Sequence, residues 1–171
     1  MQPKFSSITE CPVGRALETV GEWWSMLILR DAFQGMTRFD EFEQSLGIAP
    51  NILSRRLARL TESGMFIRRR YRDRPPRYEY VLTPKGKDFF PVIVALLGWG
   101  NKHLAPGGKT VVLANRDDTC PLDPIIVNAI DMHPVTSTNA VLVPGPRASR
   151  GMRQRLASLK AMNPDVAPAG N

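Results

Sequence analysis

Two short segments with apolar stripes, separated by a glycine turn, constrain this chain more than any other feature. Phe39, Phe42 and Leu46 share one side of the first segment, which Gly47 stops. The turn Gly47-Ile48-Ala49 leads directly to Pro50, and the second segment carries Leu53, Leu57 and Leu60 on one side before Gly64. This spacing predicts two amphipathic helices, with Thr37 as N-cap of the first and Pro50 at the first position of the second. Asp40 and Glu41 fall in the first turn of the first helix, at the positive end of its dipole. Two short helices joined by a tight glycine turn form a helix-turn-helix, which must bury its inner face against other elements.

The flanking sequence supplies them. Cys11-Pro12 is a helix start, and Val13, Ala16, Leu17 and Val20 follow as one stripe that Gly21 closes. Trp23 to Phe33 is apolar on most of its circumference and is expected at the centre of the domain, ending at Gly35. After Gly64 the period changes from helix to strand. Met65–Arg72 and Arg77–Leu82 read as a hairpin around Pro75-Pro76, with Tyr78, Tyr80 and Leu82 on one face. Thr83-Pro84 opens a long helix to about His103, with a kink expected at Pro91. The expected fold is therefore mainly α with a small β-hairpin wing: a winged helix-turn-helix, followed by a short β-rich C-terminal extension.

Four segments are expected. Residues 1–10 form a loose tail, and 11–104 hold the winged-helix and association domain. Residues 105–146 form a β-rich extension, with runs at Thr110–Ala114, Pro124–Ile130 and Asn139–Val143 separated by turns. Residues 147–171 hold a short amphipathic helix from Arg147 to Met162 and a disordered end. No internal repeat of 20–50 residues stands out.

Composition bounds the class. Apolar residues make up 43% of the 171 and charged residues 23%, enough for a buried core. The two cysteines cannot build a disulfide scaffold, and the longest nearly apolar run, Phe89–Trp99, is too short to cross a bilayer. The N-terminus shows no charged start followed by an apolar stretch, so a soluble cytoplasmic protein without membrane attachment is expected.

The net charge of +7 is localised. Arg55 to Arg77 contains nine arginines against Glu62 and Asp73, so the whole excess falls in that span and the remainder is formally neutral. On a helical wheel the arc opposite Leu53, Leu57 and Leu60 holds Asn51 and Arg55, with Ser54 and Arg59 on its shoulders and Arg56 flanking the core. Asn51, Ser54 and Arg55 are side chains that read base edges in a major groove, and they stand near the helix N-terminus, which inserts deepest. Arg56 and Arg59 are expected on the bordering phosphates, together with Arg38 at the start of the preceding helix. Arg72, Arg74 and Arg77 surround the hairpin turn, within reach of a neighbouring minor groove or backbone. The expected partner is double-stranded DNA. A protein-interaction winged helix is the alternative, but it would carry an apolar or mixed-charge helix face.

The last helix carries Phe89, Val92, Ile93, Leu96, Leu97 and Trp99 around nearly its whole circumference. Such a helix needs a second partner, either another copy of the chain or the chain's own C-terminal segment.

Several motifs in order resemble the HxlR-type transcriptional regulators. They are Cys11-Pro12-Val13, Gly21-Glu22-Trp23-Trp24 through Ile28-Leu29-Arg30-Asp31, Arg38-Phe39-Asp40-Glu41-Phe42 and Ile48-Ala49-Pro50-Asn51-Ile52-Leu53-Ser54-Arg55-Arg56-Leu57. Pro75-Pro76-Arg77-Tyr78-Glu79-Tyr80, Leu82-Thr83-Pro84-Lys85-Gly86 and Leu97-Gly98-Trp99-Gly100 continue the likeness. It runs from Cys11 to about His103 and implies a bacterial winged-helix DNA-binding regulator that pairs as a homodimer through its terminal helices. A roughly palindromic operator is expected, with half-sites about one helical turn apart.

Cys11 stands at a helix N-cap, where the dipole favours a thiolate. Some family members have an N-terminal cysteine that senses oxidants or electrophiles, so an oxidant or small-molecule effector is one expectation for Cys11. A buried packing thiol is the other. Cys120, His103 and His133 lack further ligands at metal-binding spacing. No nucleophile array, phosphate loop or carboxylate pair is present, so no enzyme, metal or cofactor is expected.

Overall fold

A computed structural model describes residues 10–162. The expected tail falls almost wholly outside these residues, as does the end of the chain from 163. The order is α1 (Pro12–Val20), α2 (Trp23–Phe33), α3 (Phe39–Leu46), α4 (Pro50–Glu62), β1 (Phe66–Arg72), β2 (Arg77–Leu82), α5 (Pro84–Lys87), α6 (Phe90–His103) and α7 (Arg150–Met162). Two compact units divide the chain: Ala16–Pro124, and the residues up to Arg15 with those from Ile125 on.

In the Ala16–Pro124 unit, α2, α3 and α4 pack on one another and α4 packs on β1. Ile28 and Leu29 of α2, Phe42 of α3, and Leu53, Leu57 and Leu60 of α4 are all fully buried, and Phe66 of β1 joins them. The ring of Phe66 stands edge-on between Phe42 at 6.5 Å and Tyr80 at 6.4 Å, linking helix core to hairpin. Trp23, in a helix expected at the centre of the domain, is exposed, with its ring 4.2 Å from Trp24.

The helix-turn-helix forms as its sequence predicts. Gly47 takes φ 58°, and its N–H donates to the Glu43 carbonyl at 3.0 Å. That left-handed conformation strains any residue with a Cβ, so glycine sets this turn. The N-cap of α3 is Arg38 rather than Thr37. Glu41 explains the shift, because its Oε2 accepts from the N–H groups of both Thr37 (2.8 Å) and Arg38 (2.9 Å). One carboxylate thus satisfies two backbone donors at the helix entry.

β1 and β2 pair antiparallel from Phe66↔Leu82 to Arg72↔Arg77, with an irregularity between Arg70 and Arg72. The backbone before α3 adds a third edge, where the Tyr80 N–H donates to the Thr37 carbonyl at 2.7 Å. The wing is thereby tied to the start of the helix-turn-helix.

The single kinked helix expected from Thr83 to His103 is two helices. Thr83 caps α5, its Oγ1 accepting from the Gly86 N–H at 3.0 Å and donating to the Gly64 carbonyl at 2.6 Å. A Cβ at Gly86 would collide with the Met65 carbonyl oxygen, so only glycine lets α5 approach so closely. The chain then turns at Asp88-Phe89, and Pro91 falls in the first turn of α6. There its missing N–H has no intrahelical partner to lose, so the proline starts a helix instead of bending one.

The segment after α6 is not β-rich among the described residues. Two of the three expected strand runs yield only isolated bridges, Ala114↔Pro121 in one unit and Val127↔Pro134 in the other, and Asn139–Val143 yields none. Each bridge closes a turn of the same design, thirteen residues apart in sequence. Asn115 and Asn128 accept through Oδ1 from the N–H two residues on, and Asp118 and Asp131 do the same for Cys120 and His133. Side chains thus take the donors a ladder would use, and Pro121 and Pro134 remove another from each.

Candidate nucleic-acid interface

The inner face of α4 consists of Leu53, Arg56, Leu57 and Leu60, all buried. Asn51, Ser54, Arg55, Ala58 and Arg59 are exposed on the other side. Asn51 Oδ1 accepts from the Ile52 N–H at 2.9 Å, which leaves its amide nitrogen available as a donor.

Arg56 departs from the expected phosphate-facing placement. It is 8% exposed, and its Nη2 lies 2.6 Å from Glu22 Oε2. The helical wheel puts position 56 beside the core, and a buried guanidinium there requires an acceptor within reach. Glu22, thirty-four residues away in sequence, provides it. Arg59 is exposed but partly committed, its Nη2 donating to the Glu18 carbonyl at 2.7 Å. Glu18 lies in the last turn of α1, where helix carbonyls lack partners.

The wing arginines divide similarly. Arg69 pairs with Glu79 at 2.7 Å directly across the strands, and Arg70 holds the turn through Asp73 and the Arg72 carbonyl. Arg68 stacks on the Tyr78 ring at 3.6 Å and Arg38 on Tyr71 at 4.9 Å. Arg72, Arg74 and Arg77 are exposed around the hairpin turn. The guanidiniums of these three and of Arg55 form no ion pair or hydrogen bond among the described residues. Tyr71 and Tyr78, which stiffen two arginines, were not candidates from sequence; their strand register opposite or beside arginine is the signal that could have found them.

The expected association residues also split. Phe89 and Ile93 pack against the chain's own core, and Leu97 is half-buried. Val92, Leu96 and Trp99 are exposed at i, i+4 and i+7, with Phe90 beside Phe33 at 5.0 Å. A helix apolar all round is thus two stripes, one facing inward and one outward.

Cys11 lies just before α1, with its carbonyl accepting from the Arg15 N–H at 3.0 Å. Hydrogen bonds from the backbone N–H groups of Gly14 and Val13 hold its thiol pKa below the ordinary cysteine value, and the charges of Arg155 and Arg15 act in the same direction. The residue as a whole is half-buried, not the sealed packing group. Among the described residues there is no cluster of three or more His, Cys, Asp or Glu that could hold a metal ion. No helix among them is long and apolar enough to cross a membrane.

Comparison with known proteins agrees with this architecture. A family model described as HxlR-like helix-turn-helix matches residues 19–107. An HTH-type transcriptional regulator of Mycobacterium tuberculosis, Rv3095, is 43% identical over 149 residues, covering 85% of this chain and 90% of the relative. Among solved structures, the transcription factor PA1374 of Pseudomonas aeruginosa is 50% identical with a TM-score of 0.62, covering 85% of this chain and 100% of that one. A second, PA1607, is 42% identical with a TM-score of 0.71 over 82% of this chain and 94% of its own. The redox regulator HypR in its reduced form is 28% identical with a TM-score of 0.52, covering 57% of this chain and 99% of that one. The chain belongs to the HxlR-like helix-turn-helix family of winged-helix transcriptional regulators.

Proposed function

We propose that this protein is a sequence-specific DNA-binding regulator acting as a homodimer, with α4 in the major groove and the wing on the adjacent minor groove or backbone. The observation that carries the reading is the set of unpartnered arginines. Arg55 on α4 and Arg72, Arg74 and Arg77 on the wing have no acceptor among the described residues, while their neighbours Arg56, Arg69 and Arg70 are paired internally. An exposed guanidinium without a carboxylate is the group that releases counterions from DNA. Asn51 and Ser54 supply adjacent base-reading groups. The exposed stripe Val92–Leu96–Trp99 supports pairing of two copies, which would set two α4 helices on successive grooves.

A titration of the full chain on a regulated promoter duplex across 50–200 mM salt tests the reading. Affinity that falls steeply with salt, by orders of magnitude, is expected. Salt-independent or absent binding would contradict it.

A second element rests on Cys11, whose thiol pKa is lowered by backbone donors at the start of α1. We propose that it responds to oxidants or electrophiles, a role supported by the likeness to the redox regulator HypR. Oxidation should change operator affinity in the parent and leave Cys11→Ser unchanged; equal responses in the two would refute it.

A further inference from the structure

A groove of about 980 Å³ lies within the unit formed by the residues up to Arg15 and from Ile125 on. Leu142, Val143, Met152, Leu156 and Leu159 line most of it, and Cys11 stands at its wall. Leu142 and Val143 are 83% and 65% exposed, so this apolar surface faces solvent. A volume near the top of the ordinary small-molecule range suits a ligand with a sizeable apolar body.

The charge around the groove is unbalanced. Its single acidic lining residue, Glu10, is already engaged: Oε1 accepts from the Ser149 N–H and Oε2 from the Ser149 hydroxyl, both at 2.6 Å. Ser149 is the residue before α7, and its Oγ also accepts from the Met152 N–H at 3.1 Å. The Glu10 carboxylate therefore sits on the positive end of that helix, which offsets its charge. Arg15, Arg147 and Arg155 also line the groove. Arg147 and Arg155 have no acidic partner among the described residues. An apolar trough with unmatched guanidiniums at its edge is complementary to an amphipathic anion.

A second copy's α6 fits this groove poorly. It is apolar, but Phe90–His103 contains no acid and ends in Lys102 and His103, so it would add positive charge to positive charge.

We propose that this groove is an effector site for an organic anion, a carboxylate whose aliphatic or aromatic body lies on the leucines of the trough and whose charged end is held by Arg155 and Arg147. The site is independent of the DNA-facing arginines, so its test needs no DNA.

Calorimetric titration of the full chain at low salt with octanoate, dodecanoate and octan-1-ol provides that test, with Arg155→Ala and Leu159→Glu as variants. Both positions are exposed, so neither substitution threatens the core. One carboxylate per chain is expected, with dodecanoate about tenfold or more tighter than octanoate from added apolar contact. Octan-1-ol should bind about tenfold more weakly than octanoate, and each variant should lose about tenfold. In a Cys120→Ser background, saturating dodecanoate should slow alkylation of Cys11 by iodoacetamide several-fold. Absent saturable binding, equal affinity for octanoate and octan-1-ol, affinity unchanged in both variants, or an unprotected Cys11 would each overturn the proposal. The first of these is also the result if an undescribed part of the chain or a second copy fills the groove.

Discussion

The guanidinium of Arg56, on the inner face of α4, lies 2.6 Å from the carboxylate of Glu22 at the start of α2. With the Arg59 bond to the Glu18 carbonyl, it fastens α4 to the junction of α1 and α2. The helix that presents Asn51, Ser54 and Arg55 is therefore held in place by two of its own arginines. Arg56 Nε has no hydrogen-bond partner, so Glu22 is the main compensation for a buried charge.

Removing Glu22 should therefore cost more than an exposed ion pair is worth. Glu22→Ala is expected to lower stability by about 1–2 kcal/mol by urea unfolding, because it strands the Arg56 guanidinium. Glu22→Ala combined with Arg56→Met should recover most of that loss. A single variant as stable as the parent would show that water replaces Glu22 without penalty.

Arg55 and Arg74 are expected to fail differently. Arg55→Ala should relax base preference at one position per half-site, costing about 1–3 kcal/mol on the best sequence. Arg74→Ala should weaken all duplexes to a similar degree and lower the salt slope by about 1. Anisotropy titrations on matched and mismatched duplexes at several salt concentrations separate the two, and identical behaviour would refute the assigned division between helix and wing.

The contrast between these arginines shows how far the sequence carries. Periodicity located α4 and its outward arc, because Leu53, Leu57 and Leu60 define the buried side by spacing alone. It put Arg56 next to the core but could not supply Glu22, since that pairing is set by tertiary packing between segments far apart in the chain. In the same way the stripe on α6 looked uniform. Only the docked helix separates inward Phe89 and Ile93 from outward Val92, Leu96 and Trp99. The extension misled for a local reason. Its β-branched runs favour strands, but Asn115, Asp118, Asn128 and Asp131 take the backbone donors, and prolines interrupt what is left.

Association should depend on that outward stripe. Leu96 is 49% exposed in the single chain, so Leu96→Glu is expected to fold normally yet sediment as a monomer, because pairing would bury its charge. A monomeric parent would refute pairing outright, and a dimeric variant would place the interface elsewhere.

The capping carboxylate gives a pH signature. Donation from the Thr37 and Arg38 N–H groups lowers the pKa of Glu41 below the usual glutamate value. A carboxyl with a lowered folded-state pKa stabilises above its unfolded pKa, and that contribution disappears as pH falls through the folded value. Glu41→Gln should therefore be less stable than the parent at pH 7, with the gap closing under acid below the ordinary carboxylate range. A gap constant with pH would show that the charge contributes nothing.

The most direct measurement is selection of bound duplexes from a random DNA pool by the full-length protein, followed by sequencing. The account predicts enrichment of one roughly palindromic motif with half-sites about one helical turn apart. It also predicts that Arg55→Ala blurs the motif, whereas Arg74→Ala lowers recovery without changing it. A pool that emerges without an enriched motif, or one identical for the parent and Arg55→Ala, would contradict the claim that α4 reads sequence.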